Sequence, residues 1–311
     1  MIKKVYISGS QGMVGSNIID MAPGHFELIT PKFEDLNLLN FQEVDHFISK
    51  VKPDIIIHTA GIVGGIQSNI ANPVRYLVEN TELGKNLMLA ARKNDITKMI
   101  NLGSSCMYPK DAVNPLKEEL ILKGELEPTN EGYAIAKVFT QRLADYIKRE
   151  DERFNYKTII PCNLYGKWDK FDPKHSHMLP AVIRKIHQAK VDQLSEVEIW
   201  GDGEARREFM FASDLANFIW YAITNFDIMP DLMNIGLGYD HTINEYYEAI
   251  AKVIGYKGKF VHDLSKPVGM KQKLVDITRL NNFGWEPKHS LEQGINKTYE
   301  FFLENHIGIK H

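Results

Sequence analysis

The sequence predicts an α/β protein: a doubly wound parallel sheet with a smaller C-terminal substrate domain. Three observations predict it. Strand-like and helix-like segments alternate through the first half of the chain. The strand-like segments are continuous apolar runs, as in strands buried on both faces, rather than alternating ones. A glycine-spaced loop joins the first strand directly to the first helix.

Taken in order, the strands fall at residues 5–8, 27–30, 55–59, 99–102 and 158–161, and the helices between them at 13–21, 41–50, 73–94 and 133–150. The βαβαβ order requires right-handed crossovers and places helices on both faces of the sheet. The stretch from Tyr165 to His177 is rich in Asp, Lys, His and Pro and reads as a loop. A helix at 179–190 and a strand at 197–200 follow, ending in Gly201-Asp202-Gly203. Residues 209–222 and 233–236 are expected to return to the main sheet, and the rest, from Asp240, to form a small helical region closed by 291–305. The expected division is therefore a dinucleotide-binding domain of residues 1–165 with about 205–238, and a substrate domain of about 166–204 with 239–311.

The loop after the first strand reads Gly9-Ser10-Gln11-Gly12-Met13-Val14-Gly15. Glycines let the chain turn tightly and approach a pyrophosphate closely. The amides and dipole of the helix that follows favour an anion at its N-terminus. The spacing is Gly-x-x-Gly-x-x-Gly, and its place between strand and helix makes it a nucleotide loop rather than a simple turn.

Tyr133 and Lys137 are four residues apart on one helix face. An ammonium beside a phenol favours phenolate and would lower the tyrosine pKa toward neutrality. The pair alone carries little weight in a chain with 13 tyrosines. Context adds weight: Gly103-Ser104-Ser105-Cys106 follows a strand end, where doubly wound folds place ligands. There Ser104 can share a substrate oxygen with Tyr133 and stabilise the charge that grows on it.

With these residues in view the chain resembles the extended short-chain dehydrogenases/reductases, a Rossmann-type family, and within them the GDP-L-fucose synthase family. The resemblance runs through Gly12-Met13-Val14-Gly15-Ser16, Val63-Gly64-Gly65-Ile66, Gly103-Ser104-Ser105-Cys106 and Glu127 to Lys137. It continues through Asn163-Leu164-Tyr165-Gly166, Ser176-His177, Trp200-Gly201-Asp202-Gly203 and Arg207-Glu208-Phe209. It implies that Ser104, Tyr133 and Lys137 form a reduction triad. Cys106 and His177 would be an epimerising base and acid on carbons beside a C4 ketone. It implies cofactor contacts from Gly9, Gln11, Gly12, Met13, Val14, Gly15, Lys32, Leu36, Ala60, Lys137, Pro161, Asn163 and Leu164. Ser105, Asn163, His177, Lys185, Trp200, Arg207 and Lys273 would meet a GDP-sugar, with cations on its pyrophosphate. Homodimerisation through helices 73–94 and 133–150 is a further implication.

Each residue also has a plainer reading: a free cysteine is ordinarily an inert buried thiol, a loop histidine is ordinarily solvated, and Trp200 suits a domain boundary. Cys162, at a strand end, reads as packing.

The sequence departs from the family on the cofactor side. Gln11 and Phe33 stand where arginines would hold a 2′-phosphate, with Lys32 adjacent and Glu34 and Asp35 slightly late for a ribose-binding acid. Either NAD(H) or NADP(H) is expected, and the lost arginines favour NAD(H). Lys185 in place of an arginine, and the Gly166-Lys167-Trp168-Asp169 stretch, suggest a modified sugar, a 6-deoxyhexose or a heptose. The main expectation is a GDP-4-keto-sugar reductase with 3,5-epimerase activity. The alternatives are an NAD-dependent 4-dehydrogenase of a GDP-sugar and a non-catalytic NAD(P) sensor, the latter disfavoured by the intact triad.

Bulk properties bound the partners. The 311 residues are 44% apolar and 25% charged with a formal net charge of −3, which argues against nucleic acid and anionic membranes as partners. No apolar stretch reaches the roughly 18 residues of a membrane helix. Two cysteines make no disulfide framework, so a cytoplasmic protein is expected, and no metal site is foreseen.

Overall fold

The computed structural model describes residues 2–172, 176–266 and 270–307. Strands β1 (Lys4–Ser8), β2 (Glu27–Ile29), β3 (Ile55–His58), β4 (Lys98–Leu102) and β5 (Asn155–Pro161) come from the apolar runs of the first half. Short strands follow: β6 (Asn163–Tyr165), β7 (Glu196–Trp200), β8 (Arg206–Arg207), β9 (Phe209–Phe211), β10 (Leu232–Ile235), β11 (His241–Thr242), β12 (Lys259–Asp263) and β13 (Gln272–Lys273). The main sheet has the order β10-β5-β4-β3-β1-β2, and every neighbouring pair is parallel.

Two helical layers cover this sheet. The helices are α1 (Met13–Asp20), α2 (Phe41–Val51), α3 (Ile66–Ala71), α4 (Pro73–Lys93), α5 (Glu131–Glu150), α6 (Met178–Val191), α7 (Ala212–Thr224), α8 (Ile243–Ile254), α9 (Thr278–Phe283) and α10 (Leu291–Phe302). Alternate residues of each strand face opposite layers. Val5, Ile7, Ile55, Ile57 and Ile100 pack with α1 and α7, through Ile18, Phe218 and Ile219. Tyr6, Ile56 and Met99 pack with Val44 and Ile48 of α2, Leu87 of α4 and Ile147 of α5. Burial on both faces explains why the runs read as unbroken. Each such isoleucine contributes about 1.5–3 kcal/mol of transfer free energy.

A second core joins β6, β7 and β9 to α6, α8 and α10 through Tyr165, Ile183, Ile199, Phe211, Tyr246 and Ile295. Here the chain differs from expectation in several places. Residues 209–211 pair with β6, outside the main sheet, whereas β10 does return to it beside β5. The region after Asp240 contains helices but also β11, β12 and β13, and β12 runs parallel to β7. Two-residue strands such as β11 and β13 have no periodicity to read, and their partner β8 defines them. The helix expected to run to residue 305 is α-helical only to Phe302 and continues as a π turn over Leu303–Ile307. Within the expected 165–177 loop, residues 173–175 lie outside the described residues, as do 267–269 and 308–311 of the expected substrate domain.

Candidate active site

The glycine loop is built for close approach. Gly9 has φ +73°, a left-handed conformation that suits glycine, and a Cβ on Gly15 would lie 2.2 Å from the Gly9 carbonyl oxygen. The Gly12 amide donates to that carbonyl at 3.0 Å. Gly12 caps α1 with no side-chain acceptor and no acid follows in the first turn, so the helix end is free for an anion. Ser10 Oγ donates to the Pro31 carbonyl at 2.9 Å, and the Phe33 amide donates to Gln11 Oε1 at 3.0 Å. These bonds tie the loop to the segment after β2. At Gly15 the helix packs directly on the loop backbone, where any Cβ would collide, and the uncapped helix end at Gly12 suits a dinucleotide's pyrophosphate.

The other expected cofactor residues are spread along the same edge. Ala60 follows β3, its amide 3.4 Å from Ser8 Oγ. Pro161 ends β5, and Asn163 and Leu164 lie on β6. Lys32 and Phe33 are exposed, but Leu36 is 6% exposed and its side chain belongs to the core. A contact from Leu36 to a ligand would therefore come from its backbone rather than its side chain. Asp35 Oδ2 accepts from the Lys32 amide at 3.2 Å, a turn bond within the same loop.

At the carboxyl end of β4 the chain makes a 3₁₀ turn over Ser105–Met107, capped by Ser104, whose Oγ accepts from the Cys106 amide at 3.3 Å. Ser105 is buried beneath the turn. The start of α5 brings Tyr133 and Lys137 to this turn, where the Ser104 hydroxyl is near enough to the Tyr133 phenol to act on its ionisation. Lys137 Nζ is 5.7 Å from the Tyr133 ring centroid and donates to the Leu102 carbonyl at 2.8 Å.

This arrangement corrects one expectation. Burial, and secondarily the charge of Cys106, push the Tyr133 phenol up, while the nearby Ser104 hydroxyl opposes them. Lys137 is itself pushed down to about 8 by burial, with Cys106 opposing. Without ligands, desolvation outweighs the ammonium's pull on the phenol.

Cys106 is only partly buried. Asn130 Nδ2 donates to its sulfur at 3.1 Å and Lys273 Nζ at 3.7 Å. Neither contact was legible in the sequence. Asn130 sits inside a motif already singled out, yet no local pattern ties it to residue 106. Cys162 is buried, with its thiol pushed well up by burial, as a packing residue should be.

His177 stands at the N-cap position of α6 without a side-chain capping bond. Desolvation of the ring, then the Lys170 ammonium, lower its pKa. The neighbouring Ser176 carbonyl would be 3.6 Å from a Cβ on Gly65, so His177 borders the 61–65 loop. Asn80 holds that loop by accepting from the Ile62 amide at 2.8 Å. The same loop abuts the triad, for a Cβ on Gly61 would lie 3.7 Å from Lys137 Nζ.

The expected sugar-nucleotide contacts form two groups. Arg207 on β8 and Lys273 on β13 are register partners in parallel strands, so their side chains share a face. Among the described contacts the Arg207 guanidinium bonds only the Arg206 carbonyl, at 2.8 Å, and burial lowers its pKa. The neighbouring Arg206 is instead paired with Asp240 at 2.6 Å. In the second group Glu198 receives both partners: Lys185 Nζ donates to its carbonyl at 2.5 Å and Trp200 Nε1 to its carboxylate at 2.8 Å. Trp200 is 57% exposed, with the Lys266 ammonium 5.7 Å from its ring.

Buried Glu208 anchors the site from behind, accepting from the Leu237, Gly238 and Val275 amides. Asn163 Nδ2 donates to its carbonyl at 3.0 Å.

Comparison with known proteins agrees with this geometry. Residues 5–236 match the NAD dependent epimerase/dehydratase family. The chain is 58% identical to the GDP-L-colitose synthase of Yersinia pseudotuberculosis, covering 96% of this chain and 98% of that one. It is 48% identical to the GDP-L-fucose synthase of Azorhizobium caulinodans, over 97% and 96%. A solved structure described as a GDP-mannoheptose C4 reductase from Campylobacter jejuni with NADP bound superposes with a TM-score of 0.88 at 29% identity, covering 97% and 98%. The chain therefore belongs to the NAD dependent epimerase/dehydratase family, as a nucleotide-sugar oxidoreductase of the extended short-chain dehydrogenase/reductase type.

Proposed function

We propose that the protein reduces the C4 ketone of a GDP-linked 4-keto-6-deoxyhexose and inverts the neighbouring C5, together with C3 where that carbon bears a hydroxyl. The observation that carries this reading is the meeting of two proton-moving sets at one turn. Ser104 and Tyr133 act on one another beside Cys106, whose sulfur receives Asn130 and Lys273. A ketone acidifies both adjoining C–H bonds, so one site can epimerise and then reduce.

When bound, the reduced nicotinamide supplies the hydride. The protein's own groups manage the protons. Ser104 holds the C4 oxygen and Tyr133 gives it a proton. A thiolate at Cys106 raises the Tyr133 pKa, which keeps the phenol protonated until the C4 oxygen becomes basic. Lys137 holds the ribose beside them, Cys106 removes the carbon-bound proton, and His177 returns one from the opposite face.

The cofactor we infer is NADP(H), in place of the NAD(H) favoured by Gln11 and Phe33. Asp35 is engaged with the Lys32 amide rather than available to two ribose hydroxyls, and Lys32 is exposed where a 2′-phosphate would lie. The NADP held by the Campylobacter relative supports the same reading. We further propose that residues 1–165 with 205–238 carry the cofactor and 166–204 with 239–311 the GDP-sugar. The protein would act in the cytoplasm as a homodimer, an assembly supported by exposed apolar side chains on α4 and α5.

The test is incubation with GDP-4-keto-6-deoxymannose, and separately with its 3-deoxy counterpart, in deuterated water with NADPH or NADH. Oxidation of NADPH with deuterium at C5 is the expected result, and deuterium at C3 of the first substrate marks the fucose-type reaction. No cofactor oxidation defeats the reductase reading, and no deuterium defeats the epimerase. Reduction of NAD by a saturated GDP-sugar alone would establish the dehydrogenase instead.

A further inference from the structure

We propose that Lys273 couples recognition of the substrate's diphosphate to the basicity of Cys106. In the free protein its ammonium sits against the Cys106 sulfur, and the bound diphosphate draws it off, leaving a stronger base beside the ketone. This rests on the reading of Cys106 as the epimerising base.

The geometry makes Lys273 a shared residue. Its Nζ lies 3.7 Å from Cys106 Sγ, while its strand position is in register with Arg207. Arg207 is a partly desolvated cation bonded, among the described contacts, to one carbonyl only, as a seat for an anion should be. Lys273 is also firmly placed. The Leu116 amide donates to the Leu274 carbonyl at 2.8 Å, the Asp276 amide to the Leu116 carbonyl at 2.9 Å, and the Leu274 amide to Asn114 Oδ1 at 2.8 Å. These bonds clamp β13 to residues 114–116, a short way along the chain from Cys106. The side chain thus swings from a fixed base between a sulfur and a diphosphate.

The two positions have opposite chemical effects. An adjacent ammonium lowers a thiol's pKa and keeps thiolate present near neutrality, but the same stabilisation makes the sulfur a weaker base. In the step itself the substrate C–H bond breaks and an S–H bond forms. The electron pair moves into the enolate on the C4 oxygen, and a proton later returns to carbon from the His177 side. A diphosphate competes for the ammonium more strongly than one thiolate does, so the base is unmasked only when substrate is seated. The other groups around Cys106 are Asn130, Ser104, Tyr133 and Lys137, of which the last two sense its charge.

Alkylation of Cys106 by iodoacetamide tests this without turnover. Its rate is followed by peptide mass spectrometry between about pH 5 and pH 10, in wild type, Lys273→Met and Lys273→Arg, each with and without GDP. Buried Cys162 serves as the internal reference for intact folding. The midpoint of the pH profile is read, because shielding of the sulfur by GDP lowers the limiting rate and leaves the midpoint in place. Lys273→Met should raise the midpoint, slowing alkylation on the acid limb about tenfold for each pH unit moved. Lys273→Arg should stay near wild type. GDP should raise the wild-type midpoint and leave that of Lys273→Met unchanged. Equal midpoints in wild type and a folded Lys273→Met, or a wild-type midpoint indifferent to GDP, overturn the proposal. Should Lys273→Met not fold, the wild-type arm with GDP decides. The deuterium experiment judges the role of Cys106 as base separately.

Discussion

Tyr133 sits in surroundings that oppose its ionisation, which suits the proton-donor role proposed for it. Removing the hydroxyl by Tyr133→Phe should lower the rate of ketone reduction by about 10²–10⁴-fold, with cofactor affinity little changed; comparison of steady-state rates and NADPH titrations checks both. Lys137 sets the alkaline limit. Burial brings it down to about 8, so its ammonium is present below that pH and lost above it. The free-enzyme profile of kcat/KM for reduction should fall as pH rises through about 8. Lys137→Arg, which stays charged, should move that fall to higher pH or abolish it. A profile flat to pH 10 would remove the ammonium from the mechanism. Ser104, Cys106, Tyr133 and Lys137 were legible because they lie in short contiguous motifs. Asn130 and Lys273 act on Cys106 across 24 and 167 residues of chain, and no spacing rule reaches that far.

The elements that carry these residues owe their positions to a few buried bonds. Glu208 joins β8 and β9 to the loop after β10 and to β13 through three backbone amides. Burial pushes its carboxyl up from 4.5 to about 7 despite those amides. The native state therefore binds a proton that the unfolded chain has already lost. Stability from this source is fully present below 4.5 and disappears as pH rises through about 7. Relative to Glu208→Gln, wild type should lose on the order of 3 kcal/mol across that window, measurable by urea unfolding at a series of pH values. Parallel curves for the two proteins would count against a proton on Glu208. The helices were more readable than the short strands for a physical reason. Asn40 caps α2, and Thr242 with Glu245 and Ser290 with Gln293 form capping boxes on α8 and α10. These are local signals, whereas β8, β11 and β13 exist only through one another.

Over the whole molecule, α4 and α5 pack together on one side of the sheet and leave an apolar stripe outside. Val74 and Val78 are 72% and 48% exposed, and Ile135, Phe139 and Tyr146 are 41%, 39% and 53% exposed. Isolated apolar side chains are ordinary on a surface, but a row on two adjoining helices is what a partner covers. Burial of this stripe against a second copy would form a four-helix interface, and Phe139→Lys combined with Val78→Glu should convert a dimer to monomer in light scattering after size exclusion. A wild-type monomer at micromolar concentration would place the stripe's purpose elsewhere. Residue type and short-range spacing were sufficient for the parallel sheet and the glycine loop, because buried strands and tight turns are local in sequence, whereas the roles of Ser104, Tyr133 and Lys137 came from the family resemblance. The cofactor's phosphate end was harder, since it depends on which side chains the loop after β2 leaves free. Only the closed fold decided that Asp35 caps a turn, that Leu36 turns inward, and that a lysine from β13 meets the sulfur at the end of β4. Those outcomes follow from which distant segments pack together, and packing is a property of the whole chain.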